Sequence, residues 1–455
     1  MNHPFFEKQN VPTYEERLAA GKALRTHVPR SVHATWSLPP EHPDPIDLLE
    51  ESNSSRIAHL VPIRYGRMKT SPFAFLRGSA VIMSSDLATT PISGLNVQVC
   101  GDAHLNNFGT YATPERQQVF DVNDFDETLP GPWEWDVKRL ATSVIVASRH
   151  KGMNVGVGRQ AARRCVQVYR QQMWVFGAMR FLDVWYSNVD VNSTLSRVHF
   201  STHRYITHAI EKARKRTSVD VFPKLTTKVR GHYRIKDDPP LLMHMEDAPL
   251  AQQLEVLLNG YIASMPDDRQ VLLSRYHIVD IAQKVVGVGS VGTRCFIALL
   301  LGRDSTDPLF LQIKEAQTSV LERYLGPSQY PNHAQRVVCG QQLIQGASDI
   351  FLGWTSSGST DYYIRQLRDR SLSPNIETMR VSDFITYAGI CGWVLARAHA
   401  RSGDAAQISG YLGKSDVFDQ AIASFAETYA NQVERDYAAL VAAVQTGRLS
   451  VKGGV

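Results

Sequence analysis

Four carboxylates, Asp121, Asp124, Asp126 and Glu127, fall within seven positions of the segment Val119-Phe120-Asp121-Val122-Asn123-Asp124-Phe125-Asp126-Glu127. They follow an apolar, strand-like run, and side chains crowded in this way repel one another unless something positive sits among them. A divalent cation is the economical answer, because Mg²⁺ takes carboxylate oxygens as ligands. A solvated acidic turn is the competing reading. A second segment lies just upstream, Cys100-Gly101-Asp102-Ala103-His104-Leu105-Asn106-Asn107, where an apolar strand enters a glycine turn, then an Asp, then an Asn five residues later. A carboxylate held just past a strand can accept a proton from a substrate hydroxyl, and a nearby amide oxygen can hold Mg²⁺. Taken alone, such a loop is equally well a place where Asp and Asn satisfy backbone donors. Two of them so close together, each ending a strand, favour a site.

A third segment, Gly287-Val288-Gly289-Ser290-Val291-Gly292-Thr293, sits between two strand-like runs, His277–Val286 and Arg294–Leu301. That placement excludes a dinucleotide-binding turn, which needs a helix immediately after the glycines. A glycine-rich turn within a hairpin instead lets backbone N–H groups close over phosphates. An ordinary hairpin is the bland alternative, and Lys314 weighs against it. This lysine closes the next strand, Phe310-Leu311-Gln312-Ile313-Lys314, where it is placed to pair with phosphate oxygens. A glycine hairpin, a strand lysine, an Asp…Asn loop and a metal-binding Asp are the equipment of phosphoryl transfer, which works by positioning and charge neutralisation.

Composition narrows the field around this reading. The chain has 455 residues, enough for two or three lobes, and 43% hydrophobic with 20% charged residues describes a globular protein with a sizeable core. A net charge of +5, from 49 basic and 44 acidic residues, argues against a general attraction to nucleic acid or membrane. Five scattered cysteines without a Cys-x-x-Cys pair fit a reducing cytoplasm. The opening Met1–Lys8 lacks the layout of a signal peptide, and the longest apolar run, Cys295–Leu301, is too short to span a bilayer. The expected protein is cytoplasmic.

Residues 1–58 read as an extended arm with a short helix near Tyr14–Leu24. Residues 59–268 carry the two acidic loops and a helical stretch at 157–218, with a loop at Lys236–Pro240 and a helix over Leu250–Ala263. Residues 269–370 have the texture of strands, and 371–455 that of helices, through Tyr387–Ala400 and Asp416–Val444. His203, His208 and the basic run Lys212–Arg216 make a solvated helix face more readily than a nucleic-acid stripe. Trp133 and Trp135 make packing residues more readily than a substrate wall, and His399 a core or capping residue more readily than a catalytic partner of Asp404.

The loop Cys100–Asn107 resembles the His-Gly-Asp-x-His-x-x-Asn loop of aminoglycoside and small-molecule phosphotransferases in the protein-kinase-like superfamily, with Cys100 replacing the leading His. Asp124-Phe125-Asp126-Glu127, then Gly131-Pro132 and Asp136, resembles the metal-binding segment of those enzymes. The chain from about residue 55 to 445 resembles a bacterial family catalogued as domain of unknown function 2252, through Pro62–Met68, the Asp102 loop, Gly287–Thr293 and Ala396–Asp404. The kinase-like resemblance implies an α+β, two-lobed fold and an ATP- and Mg-dependent phosphotransferase. In it, Asp102 is the base, with His104 orienting it. Asn107 and Asp124 hold the metal, with Asp126 beside them, and Asp136 braces the catalytic loop.

Gly287, Gly289, Ser290 and Gly292 would lie over ATP, with Lys314 on its phosphates and Glu322 as the lysine's counter-ion (Gln341 being a second candidate). The glycine loop and lysine follow the catalytic loop here, whereas kinase-like enzymes place them before it. The resemblance therefore implies circular permutation, with a hinge near Tyr363–Leu367. The expected partners are a nucleotide and a small-molecule or protein acceptor of unknown identity. Two other readings stand beside this one. A metal-dependent hydrolase would use Asp102, His104 and Asp124, with Asp121 or Asp126, as a metal cluster, and a non-catalytic nucleotide-binding protein would use the same cleft without turnover.

Overall fold

The apolar run Cys295–Leu301 becomes a strand, β9, buried along its whole length, and its alternate residues serve two different cores. Phe296, Ala298 and Leu300 face one cluster, Ile297, Leu299 and Leu301 the other, as the two-residue period of a strand requires. In this computed structural model, which describes residues 12–39, 41–189, 211, 217–244, 248–285, 287–367 and 373–453, β9 lies inside a six-stranded antiparallel sheet. The order is Gly353–Ser357 (β11), Thr360–Gln366 (β12), Pro308–Ala316 (β10), β9, His277–Lys284 (β8) and Leu242–Met243 (β7). Helices Ala248–Ser264 and Asp267–Leu273 cover one face through Leu257, Leu258, Tyr261 and Leu273. Helix Ser218–Leu225 covers part of the other through Val221 and Phe222. Each fully buried Leu or Phe in these layers contributes roughly 1.5–3 kcal/mol.

The sheet therefore draws in residues from 217 onward. The expected boundary at 269 splits it from its own covering helices, which the helical periodicity had assigned to the other part of the chain. The basic run Lys212–Arg216, His203 and His208 lie outside the described residues.

The remaining core is helical and large. Helix Trp133–His150 is buried along most of its length and packs on helices Val155–Ala178 and Val417–Gln445, while Val381–Ser402 packs closely on Val155–Ala178. Trp133 stacks flat on Tyr169, with centroids 5.7 Å apart, and donates its indole N–H to Ser93 Oγ at 3.0 Å. Trp133 and Trp135 are thus packing residues. Two small antiparallel ribbons sit on this body: Asn96–Val99 (β1) with Leu129–Pro132 (β4), and Phe108–Ala112 (β2) with Gln118–Val122 (β3). They carry the two acidic loops.

The N-terminal region is more structured than an extended arm. Asp44 caps helix Pro45–Asn53, accepting from the Ile46 and Asp47 N–H groups, with Pro45 in the first turn where its missing donor costs nothing. Short helices Val61–Met68 and Pro72–Gly78 follow and reach the glycine-rich turn. Among the described residues, no helix is long and apolar enough to cross a membrane.

Candidate functional site

Strand parity aims Lys314. In β10, Leu309, Leu311 and Ile313 enter the core beneath the Ala248–Ser264 helix, so Gln312 and Lys314 point the other way. Lys314 pairs in register with Tyr363 of β12, and Gln312 with Arg365, which puts four polar side chains on the face opposite that core. The Lys314 side chain is 3% exposed and its ammonium forms an ion pair with Asp126, with Asp124 Oδ1 at 3.8 Å. Lys314 and Asp126 are 188 residues apart in the chain. Burial works against the charge on Lys314, yet the charges of Asp124 and Asp126 outweigh it and raise the pKa well above the ordinary value.

The two carboxylates divide the labour. Asp126 also accepts from Tyr363 Oη at 2.8 Å and Ser290 Oγ at 3.0 Å. Burial would raise its pKa, but Lys314 and these hydrogen bonds bring it below the usual carboxylate value. Asp124 is held above it, by burial first and by the Asp126 charge second. Its side chain is 45% exposed, and among the described residues its carboxylate accepts one hydrogen bond, a long one of 3.3 Å from the Asp126 N–H.

Asn107, buried, donates its Nδ2 to the carbonyls of Asp102 at 3.1 Å and Asp124 at 3.2 Å, tying the two acidic loops together. Its Oδ1 is left without a hydrogen bond among the described residues. An amide oxygen and an under-engaged carboxylate from adjacent loops suit a hard cation such as Mg²⁺. Asp126 differs from the expectation: with its oxygens engaged by Lys314, Ser290 and Tyr363, it is the counter-ion of the lysine rather than a spare metal ligand.

Asp102 is gripped by Arg139, whose Nε lies 2.7 Å from Oδ1 and whose Nη2 reaches the same carboxylate. The Asp102 pKa nonetheless rises to about 7, because burial outweighs Arg139 and the charges of Asp124 and Glu127 add to it. Its Oδ2 is 3.6 Å from His104 Nε2, too long for a hydrogen bond. His104 is buried, and burial together with Arg77 and Arg139 lowers its pKa well below the ordinary value, so it is neutral. The loop backbone is braced from below. Asp136 accepts from the N–H groups of Cys100 at 2.7 Å and Gly101 at 3.0 Å, and His399 Nε2 stands 3.2 Å from Asp136 Oδ2. Tyr169 Oη completes the chain, 2.8 Å from His399 Nδ1. His399 is therefore a buried structural residue, while Asp404 caps the next helix. Gly101 has φ +79°, and a Cβ there would meet the Glu127 carbonyl at 2.4 Å, so the turn demands glycine.

The glycine-rich turn does join β8 to β9 as a hairpin, with a single 3₁₀ turn at Val288–Ser290. Gly289 and Ser290 line a cavity of about 370 Å³ together with Asp102, Asp124 and Asp126. This volume falls in the range of small-molecule sites, about 300–1,000 Å³. Gly287 is exposed and does not line the cavity. Gly292, at φ +91°, lies against Arg56, and its carbonyl accepts from the Ile57 N–H at 2.8 Å. The turn is thus fastened to the N-terminal helices on one side and open to the cavity on the other, a tie that no pattern in the glycines foretells.

Neither expected partner of Lys314 reaches it. Glu322 accepts from the N–H groups of Ser319 and Ser328, both at 3.0 Å, and lies 3.6 Å from Arg336 Nε. Gln341 donates to Gln345 Oε1 at 2.8 Å. The helix beside the sheet, His333–Ile344, carries no carboxylate at all. It offers Arg336, which donates to the carbonyls of Asp126, Thr128 and Gln317 and so locks the acidic loop to the sheet. Asp121 is also outside the cleft, buried in an ion pair with Arg397 at 2.5 Å. Among the described residues, no three His, Cys, Asp or Glu side chains are grouped so as to hold a metal ion. Sequence reasoning passed over Arg139 and Arg336, and read Tyr363 only as part of a hinge. Of these only Arg139 carried a signal, one helical turn after Asp136.

Fold and site together define a mixed α+β protein in which a buried sheet lysine pairs with two loop carboxylates that line a cavity. The chain belongs to the bacterial family DUF2252, described as an uncharacterized protein conserved in bacteria, whose model matches residues 56–443. No curated protein and no solved structure matches the chain.

Proposed function

We propose that this protein is an ATP- and Mg-dependent phosphotransferase with a permuted kinase-like arrangement. One observation carries the reading: buried Lys314 pairs directly with Asp126 and lies 3.8 Å from Asp124, and both carboxylates line a cavity with Asp102, Gly289 and Ser290. A buried ammonium, a glycine turn and two acidic loops around one cavity are what positioning and neutralising a phosphoryl group require. Asn107 and Asp124 would hold Mg²⁺, which when bound offsets negative charge on the phosphates.

In this reading Asp102 takes the proton of the acceptor hydroxyl through Oδ2, while Arg139 fixes Oδ1 and with it the direction of the free lone pairs. The acceptor oxygen forms its bond to the γ-phosphorus as the bond to the bridging oxygen of ADP breaks. Lys314 neutralises phosphate charge, and its ion pair with Asp126 keeps it oriented beforehand. A base with a pKa near 7 is well matched to proton transfer at neutral pH.

The test is ADP formation from Mg-ATP by the full chain, supplied with a deproteinised bacterial metabolite extract as the source of acceptor. The expected result is ADP release that needs both Mg²⁺ and extract and falls about 10²–10⁴-fold in Asp102→Asn. No Mg-dependent release with extract, or an unchanged rate in Asp102→Asn, refutes the proposal.

A further inference from the structure

Arg64 and Arg77 from the N-terminal helices and Arg56 from the bend ahead of them line the same cavity as the acidic loops. Among the described residues none of them has a carboxylate partner. The acidic groups around them are otherwise engaged: Asp102 by Arg139, Asp126 by Lys314, Glu315 by Arg294, Glu51 by Arg323. Glu127 spends its carboxylate on the Val320 N–H at 2.8 Å.

The three differ in what they have left to give. Arg64 is anchored, donating to Gly78 O at 2.7 Å and to the Asn53 side chain, with its Nε buried and unpartnered. Arg56 donates Nη1 to Val291 O at 2.6 Å and Nε to Ser52 O at 3.4 Å, which leaves Nη2 without a hydrogen bond among the described residues. Arg77 makes no hydrogen bond among the described residues, and its Nε is buried. Burial lowers the pKa of all three, and nearby carboxylates, Glu127 and Asp126 for Arg56, Glu127 for Arg64 and Asp102 for Arg77, offset it only in part and without forming an ion pair among the described residues.

We propose that Arg77 and Arg56, backed by the charge of Arg64, form an anion subsite beside Asp102 that receives a phosphate group already present on the acceptor. A planar fork suits phosphate oxygens bidentately, and a dianion spread over three oxygens matches clustered guanidinium groups better than a single carboxylate does. The acceptor is then a small phosphorylated hydroxy compound rather than a polycation, which these arginines would repel. This inference rests on the phosphotransferase reading for the word acceptor, though the anion subsite itself does not.

The test is isothermal titration of the full chain with inorganic phosphate, alone and in the presence of saturating Mg–AMP-PNP. The expected results are saturable phosphate binding that survives AMP-PNP and weakens about tenfold or more in Arg77→Gln. Arg77→Lys, which keeps the charge without the fork, should fall between the two. Circular dichroism monitors folding, and the lack of native hydrogen bonds at Arg77 makes both variants tolerable to the fold. No phosphate binding by the wild type, or equal binding in Arg77→Gln, overturns the subsite. Loss of phosphate binding when AMP-PNP is present also overturns it, because the arginines then serve the nucleotide. Phosphate binding that depends on Arg77 in a protein that ignores AMP-PNP upholds the subsite and sinks the phosphotransferase reading instead.

Discussion

Replacing Lys314 by Met removes the buried ammonium that ties the sheet to the Asp124–Asp126 loop. The side chain is 3% exposed, whereas Asp126 is 28% and Asp124 45% exposed, so the carboxylates are stranded beside the sheet but not wholly cut off from water. Losing one partner of a buried ion pair costs roughly 3–5 kcal/mol. Asp126 keeps its bonds to Tyr363 and Ser290 and some contact with solvent, which brings the expected cost to about 2–3 kcal/mol at pH 7. Adding Asp126→Asn removes the stranded charge and should return at least half of that loss.

The sign with pH follows from the carboxylate. Asp126 has a depressed pKa in the native protein, so its contribution is present above the unfolded value of about 3.9 and is lost as pH falls through the folded one. In Lys314→Met the same carboxylate keeps its burial but loses the ammonium, so its pKa rises, protonation relieves the stranded charge, and the difference from wild type should shrink as pH falls toward 4. Urea unfolding followed by tryptophan fluorescence at pH 8, 6 and 4 measures it. A Lys314→Met protein as stable as wild type at pH 8, or a double variant no better than the single one, refutes the coupling.

Three further outcomes are expected. The rate of ADP formation should rise about tenfold per pH unit below a midpoint near 7 and then level off, since Asp102 must be ionised to act as base; a profile flat from pH 5 to 9 contradicts that role. Gly101→Ala forces an L side chain into a positive φ and into the Glu127 carbonyl, and should cost more than about 2 kcal/mol in urea unfolding, where an effect under about 0.5 kcal/mol counts against the turn. Asp121→Asn leaves Arg397 buried without its counter-ion and should destabilise by about 3 kcal/mol, an outcome that unchanged unfolding would contradict.

The parts of the fold that periodicity can reach were legible. Short apolar runs bounded by turn residues mark β8, β9 and β10, and the 3.6-residue stripe marks helices Val155–Ala178, Val381–Ser402 and Val417–Gln445. Within the site, the Asp102 loop, Asn107, Asp124, Ser290 and Lys314 are brought together, and Asp136 braces the loop through backbone N–H groups. What escaped depends on pairings between distant segments. The counter-ion of Lys314 comes from Asp126 because Arg336 draws that loop onto the sheet, and nothing near Lys314 in sequence records it. The N-terminal helices were missed as a cavity wall because Arg56, Arg64 and Arg77 carry an ordinary spacing and acquire meaning only where the chain folds back on the glycine turn.

The decisive question is whether the cavity beside Asp124 and the Lys314 ion pair holds a nucleotide through its phosphates and a divalent cation. Calorimetric titration of the full chain with AMP-PNP, with and without Mg²⁺, tests it most directly, using Asp124→Asn because that half-exposed side chain is the one least needed for folding. The account predicts one-site binding strengthened at least about tenfold by Mg²⁺, about 1.4 kcal/mol, with that gain lost in the variant. Binding indifferent to Mg²⁺, or a variant that keeps the full gain, would contradict it.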